Sequence, residues 1–174
     1  MINVCDNFLP EELFNQLQST IISDCFPLYF QDVVTDDDKT SDLDNIVFTH
    51  GIYKDYSPCS EFFPVVYNTL IISLKKRFDD RIKSLLRCKV NCYPRSKRVC
   101  RHNFHDDYSF THKGALLSLN TCNGWTEFGD GSKVESVANR LLLFDPSLPH
   151  ASTSCSDQRC RWNIQLNYLS AIEW

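Results

Sequence analysis

Apolar residues recur at helical spacing in two stretches near the start of the chain and at alternate positions in several short stretches after them. The first stretch, Asp6 to Ile22, places Leu13, Phe14, Leu17 and Ile21 on one stripe, with Pro10 suited to a first turn and Glu11 and Glu12 to the positive helix end. Cys25 to Phe30 follows as a short apolar, extended piece. The second stretch, about Ser60 to Phe78, carries Phe63, Val66, Leu70, Leu74 and Phe78 at helical spacing. It has Pro64 in the first turn and Lys75, Lys76 and Arg77 near the negative end.

From Leu85 the period changes. Strands are expected over Lys89 to Tyr93, Ala115 to Thr121, Thr126 to Phe128, Lys133 to Val137, Arg140 to Phe144 and Arg161 to Tyr168. Asn123-Gly124, Gly129-Asp130-Gly131 and Pro146-Ser147-Leu148-Pro149 separate them as turns. Helices followed by short strands predict a mainly β fold, a double-stranded β-helix (jelly roll, cupin-like) buttressed by N-terminal helices. With no repeat or linker, 1–174 is expected to be a single domain, with the helical buttress at about 6–84 and the jelly-roll core at about 85–170.

The last predicted strand alternates without a break: Arg161, Asn163, Gln165 and Asn167 share one face, and Trp162, Ile164, Leu166 and Tyr168 the other. Its polar face must meet something wet or ligand-filled, while its apolar face can receive the helices. An interior lined by Arg161 and Asn163 would bind an anion, a guanidinium being a natural partner for a carboxylate.

Composition narrows the class. A chain of 174 residues with 43% hydrophobic and 13% aromatic residues, but 5 Gly and 7 Pro, can bury a full core. The net charge of -4 does not favour a nucleic-acid-coating protein. No secretion signal, membrane span or Asn-x-Ser/Thr sequon is evident. The 9 scattered cysteines contain no Cys-x-x-Cys pair, so reduced core thiols in a cytoplasmic protein are expected. The acidic segment Asp32 to Asp44 reads as a solvated loop. Counting from Asp36, Ser41 and Val47 stand where an EF-hand needs Gly and Glu, so calcium is not expected.

Candidate chemistry sits in the strand-rich half. In a strand His105 and Asp107 would project together while Asp106 points away. But a His followed two places later by an acid should occur about 0.6 times by chance in such a chain, so the pair alone is uninformative. Joined by His150 after the double-proline turn, they make a two-His, one-carboxylate set with open positions, the pattern of a non-haem Fe(II) oxygenase site. Arg161 further on would hold an acidic co-substrate, with Arg159 as its rival two places earlier.

Together these pieces resemble the Fe(II)- and 2-oxoglutarate-dependent dioxygenases, in their prolyl-hydroxylase-like branch. The matching pieces are Val90-Asn91-Cys92-Tyr93-Pro94, His105-Asp106-Asp107, Leu119-Asn120, Asn123-Gly124-Trp125-Thr126-Glu127-Phe128, Arg140-Leu141-Leu142-Leu143-Phe144, Pro149-His150, and Arg161 with Tyr168. The helix from Asp6 to Leu17 is similar to the opening helix of these proteins. The resemblance implies Fe(II) on His105, Asp107 and His150, and Arg161 on the distal carboxylate of 2-oxoglutarate. Tyr93 and Asn91 would line the co-substrate pocket. Ser118 departs from a co-substrate tyrosine found in some relatives, which leaves Asn163 and Thr126 as second partners of that carboxylate.

The activity so implied is O2-dependent hydroxylation of a protein or peptide side chain such as proline, with 2-oxoglutarate decarboxylated to succinate and CO2 and ascorbate as an optional reductant. A nucleic-acid or small-molecule oxygenase or demethylase on the same core, and a non-catalytic acid- or metal-binding module, are the alternatives. Nucleic acid is not favoured, because the arginines spaced beyond the distal His in that branch are not evident. The basic loop Arg95 to His102 should lie near the site entrance, either as a solvated loop or as an attractor of an acidic peptide, phosphate or nucleic acid. His50, His102 and His112 are expected to be structural or surface residues.

Overall fold

The computed structural model describes residues 2–35, 45–78 and 81–171. Most of the acidic stretch expected to be a solvated loop, at 36–44, lies outside them. In chain order the elements are β1 (Asn3–Cys5), α1 (Glu11–Ile21), β2 (Tyr29–Gln31), β3 (Val47–Lys54) and β4 (Ser57–Pro58). A helical run follows, with α2 (Phe63–Val66), a π-helical segment (Tyr67–Ile71) and α3 (Ile72–Phe78). The remaining strands are β5 (Ile82–Pro94), β6 (Lys113–Ser118), β7 (Trp125–Phe128), β8 (Lys133–Glu135), β9 (Leu141–Phe144), β10 (His150–Ser152) and β11 (Cys160–Ser170).

Eight strands form one antiparallel sheet in the order β1-β9-β6-β11-β5-β3-β2, with β4 paired to β3. A smaller sheet runs β10-β7-β8. The mainly β, antiparallel architecture agrees with the sequence pattern, but the helices do not simply precede the strands. β1 comes before α1, and β2 to β4 separate α1 from the second helical run. β2 falls at the end of the piece expected to be extended, and β1 and β4 are two or three residues long with no buried position to impose a period. β3, eight residues with Val47, His50 and Ile52 buried, went unread because its burial does not alternate strictly.

Helix α1 starts one residue after Pro10, which occupies the N-cap position with extended angles. Phe14, Leu17 and Ile21 are buried, whereas Leu13, expected on the same stripe, is exposed. The segment before it is tied down by Asn139, whose Oδ1 accepts from the Leu9 N–H at 2.9 Å and whose Nδ2 donates to the Leu9 carbonyl at 2.8 Å. Asn139 sits at φ 62°, a left-handed conformation that Asn tolerates better than most residues. In the second helical run Val66, Leu70 and Leu74 are fully buried, and Pro64 lies in the first turn as expected.

These helices cover one face of the large sheet. Val90 of β5, Leu117 of β6, Leu141 and Leu143 of β9, and Ile164, Leu166 and Tyr168 of β11 join Leu17, Leu70 and Leu74 in one core. The opposite face carries a second apolar cluster, Leu116, Phe128, Leu142 and Phe144, in which Phe128 belongs to the smaller sheet. β11 separates the two environments residue by residue, as its alternation predicted. Its polar side chains, Arg161, Asn163, Gln165 and Asn167, are buried between the sheets.

Candidate metal centre and co-substrate pocket

Strand pairing places the interior polar residues in opposed rows. Along β5 and β11, Tyr93 faces Arg161, Asn91 faces Asn163, Lys89 faces Gln165 and Arg87 faces Asn167. Both rows point to the same side because each has period two.

His150 opens β10, and His105 is joined to it by one antiparallel bridge, each backbone N–H donating to the other's carbonyl at 3.0 Å. The bridge brings the two rings to 4.5 Å between centroids. His150 Nδ1 lies 2.9 Å from the Leu148 carbonyl and His105 Nδ1 3.4 Å from the Asn103 carbonyl. A carbonyl can only accept, so these contacts make Nδ1 the protonated nitrogen and leave Nε2 free to ligate. Asp107 is fixed by its own N–H on the Pro146 carbonyl at 2.8 Å. His105 and Asp107 were expected to share one strand face. They instead flank a bend beyond a single bridge, because Asp107 bonds to the turn before β10 and no ladder continues past it. Asp106 between them is exposed, as predicted.

One ligand atom from each of His105, Asp107 and His150 lies within 4.8 Å of the others. Asp107 is held by Gln165 Nε2 and Asn167 Nδ2, donating to Oδ2 at 2.7 and 2.8 Å, and by Arg87 Nη2, which reaches Oδ1 at 2.5 Å. Burial alone would raise the carboxyl pKa, but Arg87, His150 and Asn167 outweigh it and hold it at about 2. Burial lowers both imidazoles below the ordinary value of 6.5, and His105 adds to the effect on His150. Neutral imidazoles beside an ionised carboxylate suit a divalent cation.

Arg161 is 1% exposed. Nη1 donates to the Thr153 carbonyl at 3.1 Å and Nη2 to Thr126 Oγ1 at 3.0 Å, while the guanidinium lies 5.6 Å from the Tyr93 ring centre. Arg159, the sequence-level rival, is exposed. Arg161 Nε, Asn91 Oδ1 and Asn163 Nδ2 are buried without a hydrogen-bond partner among the described residues, although Asn91 Nδ2 donates to Asn163 Oδ1 at 2.8 Å. Each such buried polar atom costs about 1–3 kcal/mol unless something satisfies it. Three on one wall therefore call for a polar ligand.

An outer hollow of about 330 Å3 opens beside His105 and Asp107 under Val34, Arg87 and Lys89. It meets an inner hollow of about 30 Å3 at Lys89 and His105, which leads to Tyr93 and Thr126, two of the residues in contact with Arg161. A larger hollow of about 480 Å3, lined by Phe128, Phe144 and Leu148, contains none of the three candidate ligands.

No protein-family model matches the sequence, and a comparison with curated proteins finds no match. Solved structures do match over nearly the whole chain. A prolyl hydroxylase from Trichoplax adhaerens, in complex with a hypoxia inducible factor oxygen degradation domain peptide fragment, is 18% identical. The match covers 97% of this chain and 83% of that one, with a TM-score of 0.64. A Pseudomonas putida prolyl-4-hydroxylase is 16% identical over 97% and 92% of the two chains, with a TM-score of 0.62. A 2OG-Fe(II) oxygenase family oxidoreductase from Burkholderia pseudomallei is 11% identical over 97% and 84%, with a TM-score of 0.66. The chain has the 2OG-Fe(II) oxygenase fold.

Within that fold, sequence reasoning missed the residues that hold Asp107. Gln165 and Asn167 were placed on the correct face without a task, and Arg87 was passed over because the strand was begun at Lys89. Extending the same period-two reading back through β5 would have found it. His112, expected to be structural, is buried with Nε2 3.1 Å from Asn167 Nδ2, so it supports the Asp107 cluster through Asn167. The arginines and Lys97 of the basic loop are exposed, and the loop is anchored from beneath by Ser96, whose backbone N–H donates to the Cys155 carbonyl at 3.0 Å.

Gly124, a residue of the predicted turn, has a tighter role than a turn requires. A Cβ there would lie 2.5 Å from the Ser154 carbonyl oxygen and 2.8 Å from Arg161 Cδ. Gly124→Ala is therefore expected to lower stability by about 1–3 kcal/mol and displace the guanidinium. Denaturant melts would measure the first effect. A substitution as stable as the parent would contradict that packing.

The depressed imidazole values fix the pH window for metal binding in this oxygenase fold. Each ring holds a proton less tightly than an ordinary imidazole, so it is mostly neutral at the ordinary value of 6.5 and protonates chiefly below it. Cobalt(II) affinity should therefore hold from about pH 8 to 6.5 and then fall by up to about a hundredfold per pH unit as two protons compete. By the same sign, the stability these buried neutral rings contribute without metal is present above 6.5 and lost as pH falls through their folded values. A titration series showing affinity already declining above pH 6.5 would contradict the assignment.

Proposed function

We propose that this chain is a 2-oxoglutarate-dependent Fe(II) dioxygenase, a single domain over 1–174, that hydroxylates a protein or peptide side chain such as proline. The observation that carries the reading is one continuous hollow with a His-Asp-His cluster at one end and, at the other, Tyr93 and Thr126 against a buried guanidinium whose neighbouring amides lack partners among the described residues. The fold likeness to two prolyl hydroxylases supports the choice of a peptidyl substrate. Nine cysteines outside any disulfide among the described residues suit a reducing compartment such as the cytoplasm.

The donor set fits a ferrous ion. His105 and His150 offer Nε2, and Asp107 offers a carboxylate oxygen from a group that is ionised at any working pH. Three protein ligands leave positions open for a co-substrate and O2. Iron with 2-oxoglutarate and O2 supplies the oxidising power for C–H hydroxylation, and releases succinate and CO2. The chain's own residues do the rest. Arg161, with Thr126 beside it, receives the distal carboxylate, and Asn91 and Asn163 offer the polar atoms that lack partners. Tyr93 stacks beneath the guanidinium and closes the floor, where burial raises its phenol pKa and keeps it a neutral donor. Gln165 and Asn167 fix the orientation of Asp107, which limits where its free lone pairs can point.

Seating a five-carbon diacid in an inner hollow of about 30 Å3 requires side chains to move. Lys89 and Gln165 wall that hollow, and long side chains change rotamer on binding more readily than backbone shifts.

The test is turnover of labelled 2-oxoglutarate to succinate by purified protein with Fe(II) and ascorbate, alone and with a library of proline-containing peptides. Activity that is lost in His150→Ala and kept in Lys97→Ala, an exposed position, is expected. Tight binding of 2-oxoglutarate without turnover under any condition would make the protein an acid-binding module instead.

A further inference from the structure

A second cluster of metal-ligating side chains lies outside the channel, on the loops behind Arg161. Cys122, Cys155 and Asp157 each bring one donor atom, and the three atoms lie within 4.8 Å of one another. Both thiols are buried and Asp157 is exposed, so the cluster is walled on the protein side and open to water on one edge.

The two loops are already pinned in that arrangement. Asn123 N–H donates to both Asp157 carboxylate oxygens, at 3.0 and 3.1 Å. Asn123 Nδ2 donates to Ser156 Oγ at 2.9 Å, and Ser156 N–H returns a bond to Asn123 Oδ1 at 2.9 Å. On either side, Cys122 N–H donates to the Ser136 carbonyl and Ser96 N–H to the Cys155 carbonyl, each at 3.0 Å. Donors fixed by backbone bonds on two separate segments lose little entropy when an ion is added.

We propose that Cys122, Cys155 and Asp157 form a zinc site, with water as the fourth ligand at the exposed edge. Thiolate donors select soft or borderline cations over Mg2+ or Ca2+. Two sulfurs with one carboxylate match tetrahedral Zn2+, which accepts both donor types. The charge of the assembled site is also suitable. Two thiolates, one carboxylate and Zn2+ sum to one negative charge, close to the buried guanidinium of Arg161, which lies within electrostatic reach of both sulfurs.

The position gives the ion a consequence. The Cys122 loop runs into Gly124, packed against Arg161 Cδ, and the Cys155 loop follows Thr153, whose carbonyl accepts from Arg161 Nη1. Zinc here would staple together the two segments that hold the co-substrate arginine. It would do so without touching the His-Asp-His centre.

Because zinc also suits two imidazoles and a carboxylate, the experiment uses full-length protein carrying His105→Ala and His150→Ala, so that its failure says nothing about the oxygenase reading. Purified with its thiols reduced, this protein is expected to retain about one equivalent of zinc. With cobalt(II) it should show the near-ultraviolet sulfur-to-metal band that imidazoles and carboxylates cannot produce. Adding Cys122→Ser and Cys155→Ser should abolish both signals, whereas Cys92→Ser and Cys160→Ser, at the neighbouring thiol pair, should leave them. Asp157→Asn, at an exposed position with low folding risk, should weaken zinc about a hundredfold. Absence of zinc and of the band, a band that survives loss of Cys122 and Cys155, or an intramolecular disulfide between these two cysteines in place of metal would overturn the proposal.

Discussion

His150→Ala is expected to reduce 2-oxoglutarate turnover at least about a thousandfold and to abolish stoichiometric metal binding at the His-Asp-His cluster. Loss of a mere hydrogen-bond partner behind a metal ligand already costs 10–100-fold, and His150 is placed as a ligand itself. The alternative, a structural role, predicts a different pattern. His150 is 4% exposed and packs edge-on against Phe144 at 5.0 Å, so truncation also opens a cavity. That cavity should lower the stability of the metal-free protein by about 1–3 kcal/mol. Activity measured at a temperature where the variant remains folded separates the two effects. Asp107→Asn sharpens the comparison: the amide keeps an oxygen for Gln165 or Asn167 and fills the same volume, but withdraws the charge from the metal and from Arg87. Cobalt(II) titration of both variants should show no saturable uptake by the His-Asp-His cluster. A folded His150→Ala protein that still turns over 2-oxoglutarate at parental rate would remove the triad from the chemistry.

What the sequence disclosed follows from which constraints are periodic. β11 was legible residue by residue because one face is buried against helices and the other against a polar interior, so every position has a reason to alternate. α1 and the second helical run were legible for the same cause, apart from Leu13. The meeting of His105, Asp107 and His150 in one cluster was legible as a combination of widely spaced residues rather than through local structure. The strand expected at His105 and Asp107 is a single bridge and a bend, and the three side chains converge because β10 pairs with β7 and carries His150 back toward the bend. Long-range pairing of this kind leaves no local period. Contacts such as Arg87 to Asp107, 20 positions apart, or Asn167 to Asp107, 60 apart, were likewise invisible without the registers of β5 and β11. The Cys122 and Cys155 cluster was hidden for a related reason: its thiols come from separate loops, so no short Cys-x-x-Cys spacing signals it.

Arg161→Met should weaken 2-oxoglutarate binding by about a hundredfold or more without destabilising the metal-free protein. Truncating one member of a buried, hydrogen-bonded ion pair costs about 2–5 kcal/mol, which sets that range. The second half of the expectation is the discriminating one. In the absence of a diacid the guanidinium has, among the described residues, the Thr153 carbonyl and Thr126 hydroxyl as its acceptors, Nε has none there, and burial pulls its pKa down. No carboxylate is recorded against it among the described residues, so the cation bears its desolvation cost without an ion-pair partner. An apolar side chain of similar length in its place should leave the melting temperature unchanged or raise it. A purely structural arginine would do the opposite. Ligand stabilisation gives the complementary readout, since saturation at a hundred times Kd stabilises the parent by about 2.7 kcal/mol and the variant by almost nothing at the same concentration. Arg161→Lys should recover part of the affinity, because the ammonium keeps the charge but loses the planar fork that engages two carboxylate oxygens at once. Arg159→Ala, on the exposed neighbour, should bind 2-oxoglutarate as the parent does. If Arg161→Met loses stability yet is still protected by 2-oxoglutarate to the parental extent, the guanidinium serves the fold and the co-substrate is anchored elsewhere.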